Sequence, residues 1–162
     1  MGGKLSEGWD GDTLPPDTAR PLLVMDTNVV LDLWLFRNPG LVWLASAVAS
    51  GSLQWVATAA MLEELSHVRI RRFGAHHSAM SELFSPPAHR VPTPRPLDSL
   101  RCRDRSDQMF LDLAMAWGCP LLTRDRHLLC LQRKARNLGL LIAPPEQARH
   151  LSSVAEAVSP QP

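Results

Sequence analysis

The 162-residue chain is poor in several features that would fix a protein's class at once. Its three cysteines, Cys102, Cys119 and Cys130, stand at unrelated spacings with no Cys-x-x-Cys pair. That pattern argues against a zinc site or a disulfide scaffold and suits a reducing cytoplasm. No apolar run approaches the roughly 20 residues of a membrane span, so no membrane role is expected. The opening Met1-Gly2-Gly3-Lys4-Leu5-Ser6-Glu7 lacks an apolar signal core and gives no sign of secretion. There is no internal repeat. Lysine is scarce, with Lys134 alone beyond residue 20.

What is present is apolar and arginine-rich. Hydrophobic residues make up 45% and charged residues 20%, enough to build one core and to exclude wholesale disorder. The net charge of +1 divides into −2 over residues 1–20 and +3 over the rest. The basic excess is nearly all arginine, whose planar fork matches phosphate; a GC-rich genome would give the same bias. Residues 1–20, with their glycines and Pro15-Pro16, read as a flexible arm, residues 21–151 as the folded domain and residues 152–162 as a tail.

The domain alternates short apolar runs with helical stretches. Strands are expected at Leu22–Met25, Leu53–Thr58, His89–Val91, Leu121–Thr123 and Leu140–Ile142. Helices are expected at Val29–Phe36, Leu41–Ala49, Ala59–Val68, Ser78–Phe84, Asp104–Trp117 and Arg126–Leu138. Prolines 86, 87, 92, 94 and 96 forbid a long helix in that stretch. Such alternation implies an α/β fold with a central parallel sheet of four to five short strands between helical layers.

Four acids fall where such a fold does chemistry. Asp26 directly follows the first strand and Asp125 closely follows the fourth. Ligands of open parallel sheets bind beyond the carboxyl ends of strands, although either acid also suits a helix N-cap. Asp107 precedes Phe110 and Leu111 by three and four residues, which puts it on the apolar stripe of its helix, and a carboxylate aimed inward needs a partner or a metal. Asp104 and Asp107 also fit a capping box. In the helix after Thr58, Glu64 borders the stripe of Met61, Leu62, Leu65 and Val68, while Glu63 points to solvent. Converging carboxylates repel one another and raise their own pKa values. Mg²⁺ or Mn²⁺ removes that conflict, and a pair of such ions hydrolyses phosphodiesters. Nearby Arg103, Arg105, Arg124 and Arg126 suit a polyanionic substrate.

Taken in order, Val24-Met25-Asp26-Thr27-Asn28-Val29, Met61-Leu62-Glu63-Glu64-Leu65, Asp104-Arg105-Ser106-Asp107-Gln108 through Ala114, and Leu122-Thr123-Arg124-Asp125-Arg126 resemble the PIN domain. More narrowly, they resemble its branch of toxin components from bacterial toxin–antitoxin pairs. The resemblance implies a Mg²⁺- or Mn²⁺-dependent endoribonuclease acting on RNA, with an antitoxin protein as partner. It implies a metal site of Asp26, Glu64, Asp107 and Asp125, steadied by Asn28 and Thr123, with Asp104 as an extra acid. Arg126 stands where the family often has a further acid.

Other readings are weaker. Asp26-Thr27-Asn28 is similar to the nucleophile loop of haloacid dehalogenase-like phosphatases, but Asn28 replaces their second acid and no core lysine fits their second motif. A catalytically weak or inactive RNA-binding PIN-like protein is the more serious alternative. His76-His77 reads as a solvated or phosphate-contacting loop, because adjacent histidines face different ways. Trp34, Trp43, Trp55 and Trp117 read as core or dimer contacts rather than base-stacking platforms. Cys102 lacks the paired histidine and acid of a cysteine hydrolase. Leu31, Trp34, Leu35, Phe36, Leu41 and Trp43 offer more apolar surface than one small core needs, so a homodimer is expected.

Overall fold

The computed structural model describes residues 16–74 and 87–151. Five short strands form one parallel sheet: β1 (Leu22–Met25), β2 (Gln54–Ala57), β3 (Ala88–Arg90), β4 (Leu121–Leu122) and β5 (Ile142–Ala143). Their spatial order is β3-β2-β1-β4-β5. Around the sheet lie α1 (Thr27–Trp34), α2 (Val42–Ala49), α3 (Ala59–Phe73), α4 (Gln108–Trp117), α5 (Arg126–Leu129) and α6 (Gln132–Asn137). The α/β class and the parallel sheet agree with the sequence pattern. No described helix is long and apolar enough to cross a membrane.

Leu23, Val24 and Met25 of β1 and all of β2 are buried, as expected for strands covered on both faces. The chain runs outward from β1 to β2 and β3, then returns to the other side of β1 for β4 and β5. The winding direction therefore reverses between β1 and β4, and the crevice at their carboxyl ends is where such sheets bind ligands. Met25 pairs with Leu122, so Asp26 and Thr123 leave the sheet side by side.

Several expected boundaries are corrected. The helix after Thr58 runs past Val68 to Phe73, because nothing in Arg69-Ile70-Arg71-Arg72 stops it. It ends at Gly74, whose φ of +71° favours glycine. The helix expected from Asp104 starts only at Gln108. The Asp104 carboxylate accepts hydrogen bonds from the Ser106 N–H and hydroxyl, and this local turn displaces the first helical turn. The helix expected over 126–138 is two, α5 and α6, separated at Cys130–Leu131, where ψ flattens to −16° and −5°. The last strand lies at Ile142–Ala143 rather than Leu140–Ile142. The Ser78–Phe84 helix and His76-His77 lie outside the described residues, as does the tail.

The arm is held before residue 20. The buried Gln54 side chain accepts from the Asp17 N–H at 2.8 Å and donates to the Asp17 carbonyl at 2.6 Å. Trp34 and Trp55 stack with ring centroids 5.4 Å apart, and Trp43 and Trp117 pack against the core. Leu31 and Leu41 are fully buried, so much of the apolar surface that suggested a dimer belongs to the core of one chain.

One buried acid had no signal in the sequence. Asp112 on α4 accepts from the Leu97 N–H at 3.2 Å and from Gln108 Nε2 at 2.8 Å. Gln108 also donates to the Leu100 carbonyl and accepts from the Cys102 N–H. Together they pin the chain after the prolines onto α4. Replacing Asp112 by Ala should therefore destabilise the fold by about 2 kcal/mol in urea unfolding. The exposed Ser99→Ala should stay within about 0.5 kcal/mol of wild type. Equal effects would show that this pin is not structural.

Candidate active site

The site is built where β1 and β4 end. Asp26 is 3% exposed. One carboxylate oxygen accepts from the Val29 N–H at 2.8 Å, capping α1. The other accepts from the Thr123 hydroxyl and from the Arg124 N–H. Thr123 Oγ1 in turn accepts from the Asp125 N–H at 2.9 Å. A single buried hydroxyl thus joins the two strand ends. Burial pushes the Asp26 carboxyl above its ordinary pKa, and the bonds from Thr123, Val29 and Arg124 pull the other way.

Asp125 caps α5, accepting from the N–H groups of His127 at 2.7 Å and Leu128 at 3.3 Å through one oxygen. Both Asp26 and Asp125 are therefore helix caps and also lie on the crevice, with no conflict between the two roles.

Helix α3 supplies the facing wall. Met61 and Leu65 are buried, Glu63 is exposed and Glu64 is half-buried, as the helical phase requires. Glu64, Val68, Arg71 and Arg72 follow i, i+4, i+7, i+8 spacing, and all line one cleft of about 400 Å³ with Asp26, Asn28, Asp107 and Asp125. Thr27 lines it too, and its buried hydroxyl has no partner among the described residues.

Asp107 sits just before α4, half-buried, without capping that helix through its side chain. Its pKa is raised to about 6, first by burial and then by the charges of Asp125, Asp104, Asp26 and Glu64. Every other acid of the expected site is felt at this one carboxyl. Glu64 is also raised, mainly by burial, with Arg71 offsetting part and Asp104 and Asp26 adding to it. Asp104 is fully exposed, and its bonds from Ser106 lower its pKa.

The oxygen-only donors and their mutual repulsion suit a hard divalent cation. Among the described residues, no group of three His, Cys, Asp or Glu stands ready to hold an ion as it is. The acids face one cleft and share a field without being drawn together. Asn28 lines the cleft, but the printed hydrogen bonds to Asp26 come from Thr123, Val29 and Arg124. Arg124 is redirected: its guanidinium pairs with Asp32 at 2.8 Å and with Glu146, so it is committed within the chain and only its backbone serves Asp26. Arg126 is exposed, and Arg103 and Arg105 line a different cleft. The cationic residues of the acid cleft are instead Arg71 and Arg72, hidden from the sequence because the helix bearing them seemed to end at Val68.

The sequence profile of the family described as PIN domain matches residues 22–127. No curated protein and no solved structure matches the chain. The PIN domain is a nuclease-type fold whose members generally use divalent metal ions.

The raised Asp107 carboxyl makes a signed prediction for the metal-free protein. The folded state holds its proton more tightly than the unfolded chain, so this group's stabilisation is complete below about pH 4 and is lost as pH rises through about 6. After discounting for solvent screening, the penalty near neutrality is on the order of 1 kcal/mol. In EDTA, Asp107→Asn should melt a few degrees above wild type at pH 7, and the gap should close toward pH 4. A gap that does not change with pH would show that Asp107 does not feel the other acids.

Proposed function

The chain belongs to the PIN domain family, and on that premise we propose that it is a Mg²⁺- or Mn²⁺-dependent endoribonuclease, the toxin of a toxin–antitoxin pair. The observation that carries the reading is the approach of Asp26, Glu64, Asp107 and Asp125 to one cleft at the sheet's reversal point. These four carboxylates would hold the cation. Mg²⁺ keeps several of its waters, so one or two direct carboxylate ligands suffice and the rest act through water. Bound there, the ion supplies an activated water and offsets charge on the leaving oxygen.

The chain's own groups set up the rest. Thr123 and the Val29 and Arg124 N–H groups fix both oxygens of Asp26 before any ligand arrives. Arg71 and Arg72 put positive charge into an otherwise acidic cleft, which lets a phosphate approach. The toxin role rests on the order and spacing of the motifs. It brings with it a cytoplasmic setting and an antitoxin partner. A homodimer is supported by Phe36 and Val42, 51% and 58% exposed beside α1 and α2.

Cleavage of an RNA pool with and without Mn²⁺ tests this reading. Asp26→Asn should lose more than the roughly 10–100-fold that an outer-sphere change costs. RNA binding without cleavage by wild type would favour the non-catalytic alternative. Glu64→Gln should abolish most cleavage, whereas Glu63→Gln should stay within a few-fold of wild type, since its side chain is exposed. Equal losses would remove Glu64 from the site. Mn²⁺ should also raise the melting temperature of wild type and not of Asp26→Asn/Asp107→Asn.

A further inference from the structure

A second cleft, of about 820 Å³, lies beside α4 and is roughly twice the size of the acid cleft. Its charged lining is Arg101, Arg103, Arg105 and the buried Asp112. Asp112 is engaged by Leu97 and Gln108, and Arg101 pairs with Asp98. Arg103 and Arg105 are exposed and make no ion pair among the described residues. Thr93, Pro94 and Pro96 form another part of its lining, and Met109 adds apolar surface.

The two clefts share a partition. Asp107 and Phe110 line the acid cleft, whereas Arg103, Arg105, Gln108 and Met109 line the second. One short stretch of chain therefore sends acids to one side and arginines to the other. That stretch is held in place by the Gln108 bonds to Leu100 and Cys102, so the arginines start from a fixed backbone. No aromatic residue lines the second cleft, which removes base stacking as its means of recognition and leaves phosphate contact.

We propose that this arginine cleft holds the sugar–phosphate backbone of single-stranded RNA flanking the phosphate that enters the acid cleft, with Arg103 and Arg105 as its phosphate contacts. The proposal rests on the ribonuclease reading and adds to it where the strand runs. Recognition there is independent of sequence, because arginine forks read phosphate and the prolines and Met109 offer only apolar support.

The test is binding of a fluorescein-labelled oligouridylate to the full chain in EDTA, followed by anisotropy across a range of salt. Arg103→Gln/Arg105→Gln should bind about 10-fold or more weakly at low salt. Its plot of log affinity against log salt should be shallower by about 1.4, or about 0.7 for each lost phosphate contact. Arg103→Lys/Arg105→Lys should keep the wild-type slope, since each lysine retains one charge. The charge-matched Arg133→Gln/Arg136→Gln on α6, whose side chains are exposed and line neither cleft, should bind as wild type. Cleavage of the same RNA with Mn²⁺ is followed in parallel. Wild type that binds with this pattern but never cleaves would sink the nuclease reading and leave the arginine cleft standing. If wild type cleaves and the double glutamine variant binds with unchanged affinity and slope, the cleft assignment fails alone. Loss of binding to an oligoglutamate peptide, with RNA binding intact, would make this a protein-docking surface and overturn the proposal.

Discussion

One hydroxyl holds the candidate site together. Thr123 Oγ1 donates to the Asp26 carboxylate and accepts from the Asp125 N–H, at the place where neighbouring parallel strands end together. Without it, a 3%-exposed carboxylate would lose one of its three donors and the turn into α5 would lose its anchor. Burying a carboxylate is costly unless its oxygens are satisfied. Here they are satisfied by groups that the β1–β4 register delivers automatically. Met25 opposite Leu122 puts Asp26 beside Thr123, so the architecture of the sheet and that of the site are one constraint.

The same economy explains why Asp26 and Asp125 serve as helix caps. A cap carboxylate spends one oxygen on backbone N–H groups, and this fixes its rotamer. Asp125 uses one oxygen in this way. A capping role is often the bland explanation for an acid after a strand. At a reversal point of the sheet it also orients the acid toward the crevice. The unfavourable part falls on Asp107, which caps nothing through its side chain and sits in the field of the other acids. A group held at such a disadvantage marks function more than stability.

The sequence made the fold legible because its signals were local. Leu22–Met25 is an uninterrupted apolar run, and the spacing of Met61, Leu65 and Val68 sets the phase that separates Glu64 from Glu63. What escaped depended on contacts across the chain. Arg71 and Arg72 were missed because an amphipathic pattern can fade before its helix ends, and only Gly74 marks that end. The start of α4 was misplaced because Asp104 prefers its own Ser106 to a helical turn. Arg124 looked like a phosphate ligand, and nothing local reveals that Asp32 and Glu146 lie within its reach. Asp112 looked like one more helix acid until the chain after the prolines returned to it.

The net charge of +1 conceals a division of charge that the fold makes explicit. An acidic cleft by itself repels the polyanion it would have to act on, and a uniformly basic surface would hold RNA without directing a phosphate to the acids. Two adjoining clefts of opposite character resolve this, provided that the wall between them is rigid and thin. The stretch from Arg101 to Phe110 meets both conditions. Its turn is closed by Asp104 and Ser106, its flank is pinned by Gln108, and its side chains divide between the two sides. The prolines that obscured this part of the sequence help to line the arginine cleft, where a backbone with few free dihedrals loses little entropy on ordering. The segment that was hardest to interpret locally thus borders the surface where long-range charge complementarity is greatest.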